Sequence, residues 1–210
     1  MGFFTAVPAG SGSGEGLPVC LVLHGASATT ADFRRFGLAR FLTAAVQAGV
    51  PPFVLAGADG GRTFWRGDGA GDEPQRMLRE EIPAWCAERG FDVGRIAAYG
   101  WSMGGHGALA LAQSKADFPA IRAVAALSPA ISAGDEVFSD VARLADVAVG
   151  LWCGLSDPLL PAVQQLAAAM RPSPEVASWG SGSHTRAYWN QVTPAAFSLI
   201  GQRLSRGARS

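Results

Sequence analysis

The chain has 210 residues, of which 49% are apolar and 16% charged, and its mean hydropathy is +0.18. That length predicts one domain, and that balance provides a buried core while excluding a disordered chain. Seventeen basic residues offset seventeen acidic ones at a pI near 6.8, so no global field exists to hold nucleic acid or an anionic membrane surface.

Residues 1–16 contain a Gly/Ser stretch and have neither a basic n-region nor a sustained apolar h-region. They read as a flexible N-terminal lead-in rather than a signal peptide, with a single domain over 17–206. No apolar run approaches the ~18 residues of a membrane span. Cys20, Cys86 and Cys153 are odd in number, far apart and set in apolar segments. That usage fits neither a disulfide framework nor a zinc site and leads to the expectation of a reducing, cytoplasmic setting.

From residue 18 onward, short apolar runs alternate with longer amphipathic ones, the pattern of a mostly parallel sheet with helical crossovers. The predicted order is strand 19–24, helix 30–48, strand 53–58, helix 74–89, strand 96–100, helix 103–114, strands 124–127 and 147–153, helix 158–170, strand 175–179 and helix 186–204. Six strands with helices on both faces make an α/β domain. Few residues separate Pro129 from Val147, so any cap there is a small helical piece around 137–144.

In open α/β sheets the ligand lies beyond the carboxyl ends of the strands, so the polar residues that follow each run carry the functional information. After the first run come His24-Gly25-Ala26, after the second Asp59-Gly60-Gly61, after the third Trp101-Ser102-Met103, after the fifth Ser156-Asp157, and after the sixth His184. Gly100-Trp101-Ser102-Met103-Gly104 matches G-x-S-x-G, a weak sign by itself in a chain with 27 glycines. Its place between an apolar strand and an Ala/Leu helix is that of a nucleophile elbow, with Ser102 Oγ exposed at a helix N-terminus.

A serine hydroxyl needs a base, and imidazole titrates near the pH at which it must work. Of the three histidines, His106 lies one turn along the same helix and reads as a packed or surface residue. His184, in a Gly/Ser-rich loop before the last helix, is the candidate base. Asp157 is the candidate acid that orients it, and it also reads as an N-cap of the helix begun by Pro158. Asp135 and Asp140 are fallback acids. The oxyanion hole would use the backbone amides of Met103 and Ala26. Trp65 and Trp101 are the candidate walls of an apolar pocket; Trp152 and Trp189 also lie near strand ends. Asp59, Asp68 and Asp72 read as a solvated turn rather than a cation site.

With these residues in place, the segments LVLHG, ADGGRTFWRGDGAGD, YGWSMGGHGALALA followed by SPA, WCGLSDPL and GSHTRAYWNQ resemble the α/β-hydrolase superfamily. Within it they are similar to the putative-esterase group that includes esterase D-like enzymes and mycobacterial mycolyltransferases. The resemblance spans residues 21–191 and implies Ser102 as nucleophile, Asp157 as acid, His184 as base and the Ala26 and Met103 amides as oxyanion hole. It also implies a loop-shaping role for His24. The expectation is a serine esterase that needs no cofactor and no metal and acts on a small-molecule ester. Acyl transfer by the same residues is the nearest alternative, and a non-catalytic binding protein of the same fold is the other.

Overall fold

The computed structural model describes residues 2–66, 73–114 and 120–206. Seven strands form one sheet: β1 (Phe3–Ala6), β2 (Pro18–Leu23), β3 (Val54–Ala58), β4 (Asp92–Trp101), β5 (Ile121–Leu127), β6 (Ala148–Gly154) and β7 (Val176–Gly180). Their spatial order is β1-β3-β2-β4-β5-β6-β7, and every neighbouring pair is parallel except β1 with β3. The central strands read as unbroken apolar runs because helices cover both faces. Along β2, Val19, Leu21 and Leu23 enter one core while Cys20 and Val22 enter the other.

One face is covered by α3 (Pro74–Arg76), which runs through a π-helical turn (Met77–Glu81) into α4 (Ile82–Ala87), together with α5 (Met103–Ala112) and α7 (Leu160–Ala169). The other face is covered by α1 (Thr30–Arg35), α2 (Leu38–Gln47) and α8 (Arg186–Ser205). Between β5 and β6 lie only α6 (Glu136–Ser139) and a 3-10 turn (Val141–Leu144), the small helical piece expected there. This is the α/β-hydrolase architecture without a large cap. Among the described residues, no helix is long and apolar enough to cross a membrane.

Two expectations need correction. The strand count is seven rather than about six, because Phe3–Ala6 is not part of a flexible lead-in. It pairs along β3 from Phe3↔Ala58 to Ala6↔Leu55, buries Phe4 against Phe33 and sets the ring of Phe3 against Trp85. The glycines that follow it are held by hydrogen bonds, within a turn from Gly14 N to Ser11 O at 3.1 Å and across the molecule from Gly16 N to Gly90 O at 2.8 Å. The single helix expected over 30–48 is two helices. Gly37, at φ 76°, takes the left-handed conformation that ends α1 and starts α2 at a new angle.

Candidate active site

Ser102 sits between β4 and α5 at φ 55°, ψ −122°, a conformation that non-glycine residues rarely hold. Its backbone is fixed on three sides: its N–H donates to Leu127 O at 2.9 Å, and its carbonyl accepts from His106 N at 3.1 Å and Ala130 N at 2.9 Å. The glycines of the pentapeptide are required by close approach. A Cβ on Gly100 would lie 2.2 Å from Gly104 O, and one on Gly104 would lie 2.0 Å from Leu23 O. The strained serine thus persists because its surroundings over-determine it.

His184 and Asp157 reach Ser102 from the loops after β7 and β6. Ser102 Oγ lies 2.9 Å from His184 Nε2, and His184 Nδ1 lies 2.9 Å from Asp157 Oδ2. A carboxylate can only accept, so Nδ1 carries the proton and donates to Oδ2, which leaves Nε2 to accept from the serine hydroxyl. The two loops are joined by backbone hydrogen bonds, Leu155 N to Gly180 O at 2.8 Å and Ser156 N to Gly182 O at 2.9 Å. A Cβ on Gly154 would strike Gly182 O at 2.4 Å, so glycine there lets the base approach the acid. Both oxygens of Asp157 are used: Oδ2 faces His184 while Oδ1 accepts from Leu159 N at 3.0 Å, but the expected N-cap does not form, because α7 begins at Leu160 with Leu159 as its N-cap and no side-chain cap hydrogen bond. The acid is 4% exposed, whereas the His184 side chain keeps 30% of its surface.

Beneath the acid lies Cys153, buried and unpaired like Cys20 and Cys86. Burial and, secondarily, the Asp157 charge push its thiol up to about 12, so it stays protonated and inert at neutral pH.

The loop after β2 lies against the elbow, since a Cβ on Gly25 would come 3.4 Å from Ser102 Cβ. Ala26 is exposed in the turn closed by Ala28 N to Gly25 O at 3.0 Å, and Met103 opens α5, where first-turn amides have no partner inside the helix. His24 shapes this loop. Its Nδ1–H donates to Gly25 O at 2.8 Å and its Nε2 accepts from Gly60 N at 3.0 Å, which fixes the neutral tautomer. Burial lowers its pKa, opposed by the Gly25 carbonyl and more weakly by Asp59 and Asp32.

Trp65 and Trp101 do not wall a pocket; they are 0% and 1% exposed. The Trp65 indole fits against Gly60 and Gly107, where any Cβ would come within 2.3 and 2.7 Å of it, and its Nε1 donates to His24 O at 3.1 Å. It props the loop after β2 from below. Trp101 fills the opposite core with its ring 5.8 Å from Phe33 and 4.7 Å from Phe36. The aromatic wall beside the site is instead Trp189 with Phe36, each 9% exposed. Trp189 stands perpendicular to His184, centroids 5.1 Å apart, stacks on Phe36 at 6.3 Å, and donates from Nε1 to Ser128 Oγ at 3.2 Å. In sequence Phe36 is one more apolar residue of the first helix, whereas Trp189 stands out by its place near the strand ends.

A second histidine–aspartate pair lies on the other side of α5. Buried His106 presents Nε2 to Asp135 Oδ1 at 3.1 Å and to the Arg66 guanidinium at 2.7 Å, while its Nδ1 has no hydrogen-bond partner. Burial lowers its pKa, with Asp135 opposing and Arg66 reinforcing that shift. Asp135 also caps α6 through Val137 N at 3.1 Å, so the fallback acid serves the small cap rather than His184. Asp140, the other fallback, pairs with Arg143 at 3.6 Å. Asp59 accepts from Thr30 N at 2.7 Å and Gly2 N at 3.3 Å; Asp68 and Asp72 lie outside the described residues. No group of three or more metal-ligating side chains occurs among the described residues.

A hydroxyl, an imidazole and a buried carboxylate in one hydrogen-bonded line, on a strained strand–helix turn, is an arrangement that moves a proton off the hydroxyl. A family model described as "Putative esterase" matches residues 1–200. The chain belongs to that esterase family. No curated protein matches it by sequence. Among solved structures, this esterase-family chain is similar to a ferulic acid esterase at 20% identity, with a TM-score of 0.82 and 97% of this chain and 98% of that one covered. It is also similar to an S-formylglutathione hydrolase from Agrobacterium tumefaciens at 17% identity, with a TM-score of 0.75 and 97% and 90% coverage. A third is a fluorophosphonate-binding serine hydrolase of Staphylococcus aureus, at 14% identity, a TM-score of 0.69 and 95% and 98% coverage. At these identities the likeness is one of fold.

Proposed function

We propose that this esterase-family protein is a serine carboxylic ester hydrolase in which Ser102, His184 and Asp157 form a catalytic triad. Nε2 of His184 takes the Ser102 proton as Oγ bonds to the ester carbonyl carbon and the carbonyl π pair moves to oxygen. The amides of Ala26 and Met103 hold that oxyanion. Collapse restores the carbonyl, breaks the bond to the alcohol oxygen and returns the proton from Nε2 to the leaving alkoxide. Water then repeats the sequence on the acyl-enzyme, with His184 again as base, and releases the acid and free Ser102. Asp157 accepts from Nδ1–H throughout and stabilises the imidazolium.

The observation that carries this reading is the pair of 2.9 Å contacts, Oγ to Nε2 and Nδ1 to Oδ2, at a serine held at positive φ. Within the family the proposed placement is beside the esterase D-like enzymes, with a cytoplasmic location in which Cys20, Cys86 and Cys153 stay reduced. The test is covalent labelling by a fluorophosphonate together with hydrolysis of a nitrophenyl acetate. Both are expected in the wild type and absent in Ser102→Ala with an unchanged circular dichroism spectrum. Labelling that survives Ser102→Ala overturns the assignment.

A further inference from the structure

We infer that Arg186, supported by Arg40, selects esters whose alcohol portion carries an anionic group; the inference rests on the ester-hydrolase reading above. Arg186 opens α8 two residues after His184, is exposed, and places its guanidinium 5.7 Å from the centroid of Phe36. Phe36 stacks on Trp189, and Trp189 stands against His184, so the cation is held by a continuous aromatic layer that ends on the base. The guanidinium of Arg40 lies on the next residue, where a Cβ on Gly37 would come within 2.9 Å of it.

Neither guanidinium has a carboxylate partner among the described residues. The one acid of the α1 segment, Asp32, is engaged by Arg35 at 3.3 Å and by Thr29 N at 2.9 Å. A cation in the first turn of a helix also opposes the helix dipole, so α8 gains nothing from Arg186 there. Across α5 the charges are arranged otherwise. Arg66 and Arg143 are both paired, with Asp135, Glu136 and Asp140. Among the described residues the Arg186 guanidinium thus lies without a carboxylate over an aromatic layer that ends on the base.

Side matters as well as sign. His184 Nε2 delivers its proton to the leaving oxygen, so the segment that carries Arg186 faces the alcohol half of the ester. A guanidinium held over a ring face keeps its N–H donors for a carboxylate or a phosphate, which it binds through paired hydrogen bonds.

The test uses one acyl group and two leaving alcohols, 4-acetoxybenzoate and its neutral methyl ester. The wild type is expected to favour the anion in KM. Arg186→Met is expected to lower the anion-to-neutral ratio of kcat/KM about tenfold, Arg186→Glu to lower it further, and Arg40→Gln to lower it less. Raising the salt concentration should reduce the ratio in the wild type and leave it flat in Arg186→Met. A ratio that Arg186→Met leaves within twofold of the wild type overturns the inference while the ester-hydrolase reading stands. Failure of the wild type on both esters and on nitrophenyl acetate removes both.

Discussion

Among the described residues two histidine–aspartate pairs lie on either side of one helix, and their distances barely differ: 2.9 Å for His184–Asp157 and 3.1 Å for His106–Asp135. What differs is the nitrogen that remains. His184 turns its free nitrogen to a serine hydroxyl in a half-open cleft. His106 shares one nitrogen between a carboxylate and a guanidinium, and its other nitrogen has no hydrogen-bond partner among the described residues. An imidazole next to a carboxylate is thus a structural strut or a base according to its third neighbour and its access to water. The two pairs also divide the tasks of the elbow: one addresses the hydroxyl of Ser102, while the other anchors the small cap after β5 to the helix that Ser102 begins.

The comparison breaks most sharply on removal of the two carboxylate hydrogen-bond acceptors. Asp157→Asn should leave His184 in the wrong tautomer and lower kcat for a nitrophenyl ester about ten-thousand-fold, with stability little altered. Asp135→Asn should reverse that balance. It removes the charge that faces Arg66 and His106, while Asn still caps α6 and Glu136 still pairs with Arg66, for a loss of roughly 0.5–1.5 kcal/mol in urea unfolding and a far smaller fall in rate. Equal rate losses in the two variants would mean that the second pair also takes part in the chemistry.

The next effect concerns Trp65, which the sequence suggests as a pocket wall and the structure makes a prop. Trp65→Phe keeps most of the ring between Gly60 and Gly107 but deletes the Nε1–H that holds His24 O. Its hydrogen bond is worth about 1 kcal/mol, and if the loop after β2 holds the proposed oxyanion, the loss of that bond should appear in kcat more than in KM. A change confined to KM would return Trp65 to the binding surface.

Much of this arrangement was legible before any coordinates. Ser102, Asp157 and His184 each follow a different apolar run, in an order the topology brings to one sheet edge, and the neighbouring glycines announce the turn. What stayed hidden depends on partners remote in sequence. Trp65 is buried because residues 60 and 107 lack side chains. His106 acquires its role from Asp135, 29 positions away, and from Arg66, 40 positions away. Phe3–Ala6 is too short a run to announce a strand, and it becomes one because β3 offers an unpaired edge. Asp157 is ambiguous in sequence for a simple reason: a carboxylate has two oxygens, and here one meets His184 Nδ1 and the other Leu159 N.

The last effect concerns pH and the two buried histidines. His24 and His106 are both held below the ordinary value of 6.5, chiefly by burial. For such a group the unfolded chain binds protons that the folded chain refuses, so stability falls as pH falls. Their contribution is therefore fully present above pH 6.5, declines below it with a slope of up to about 1.4 kcal/mol per pH unit per histidine, and levels off once pH passes the lowered folded values. Urea unfolding between pH 8 and pH 5 should show this decline, and His106→Gln should flatten part of it. The double variant His24→Gln/His106→Gln should flatten most of it. A decline of unchanged slope in the double variant would assign it to other groups.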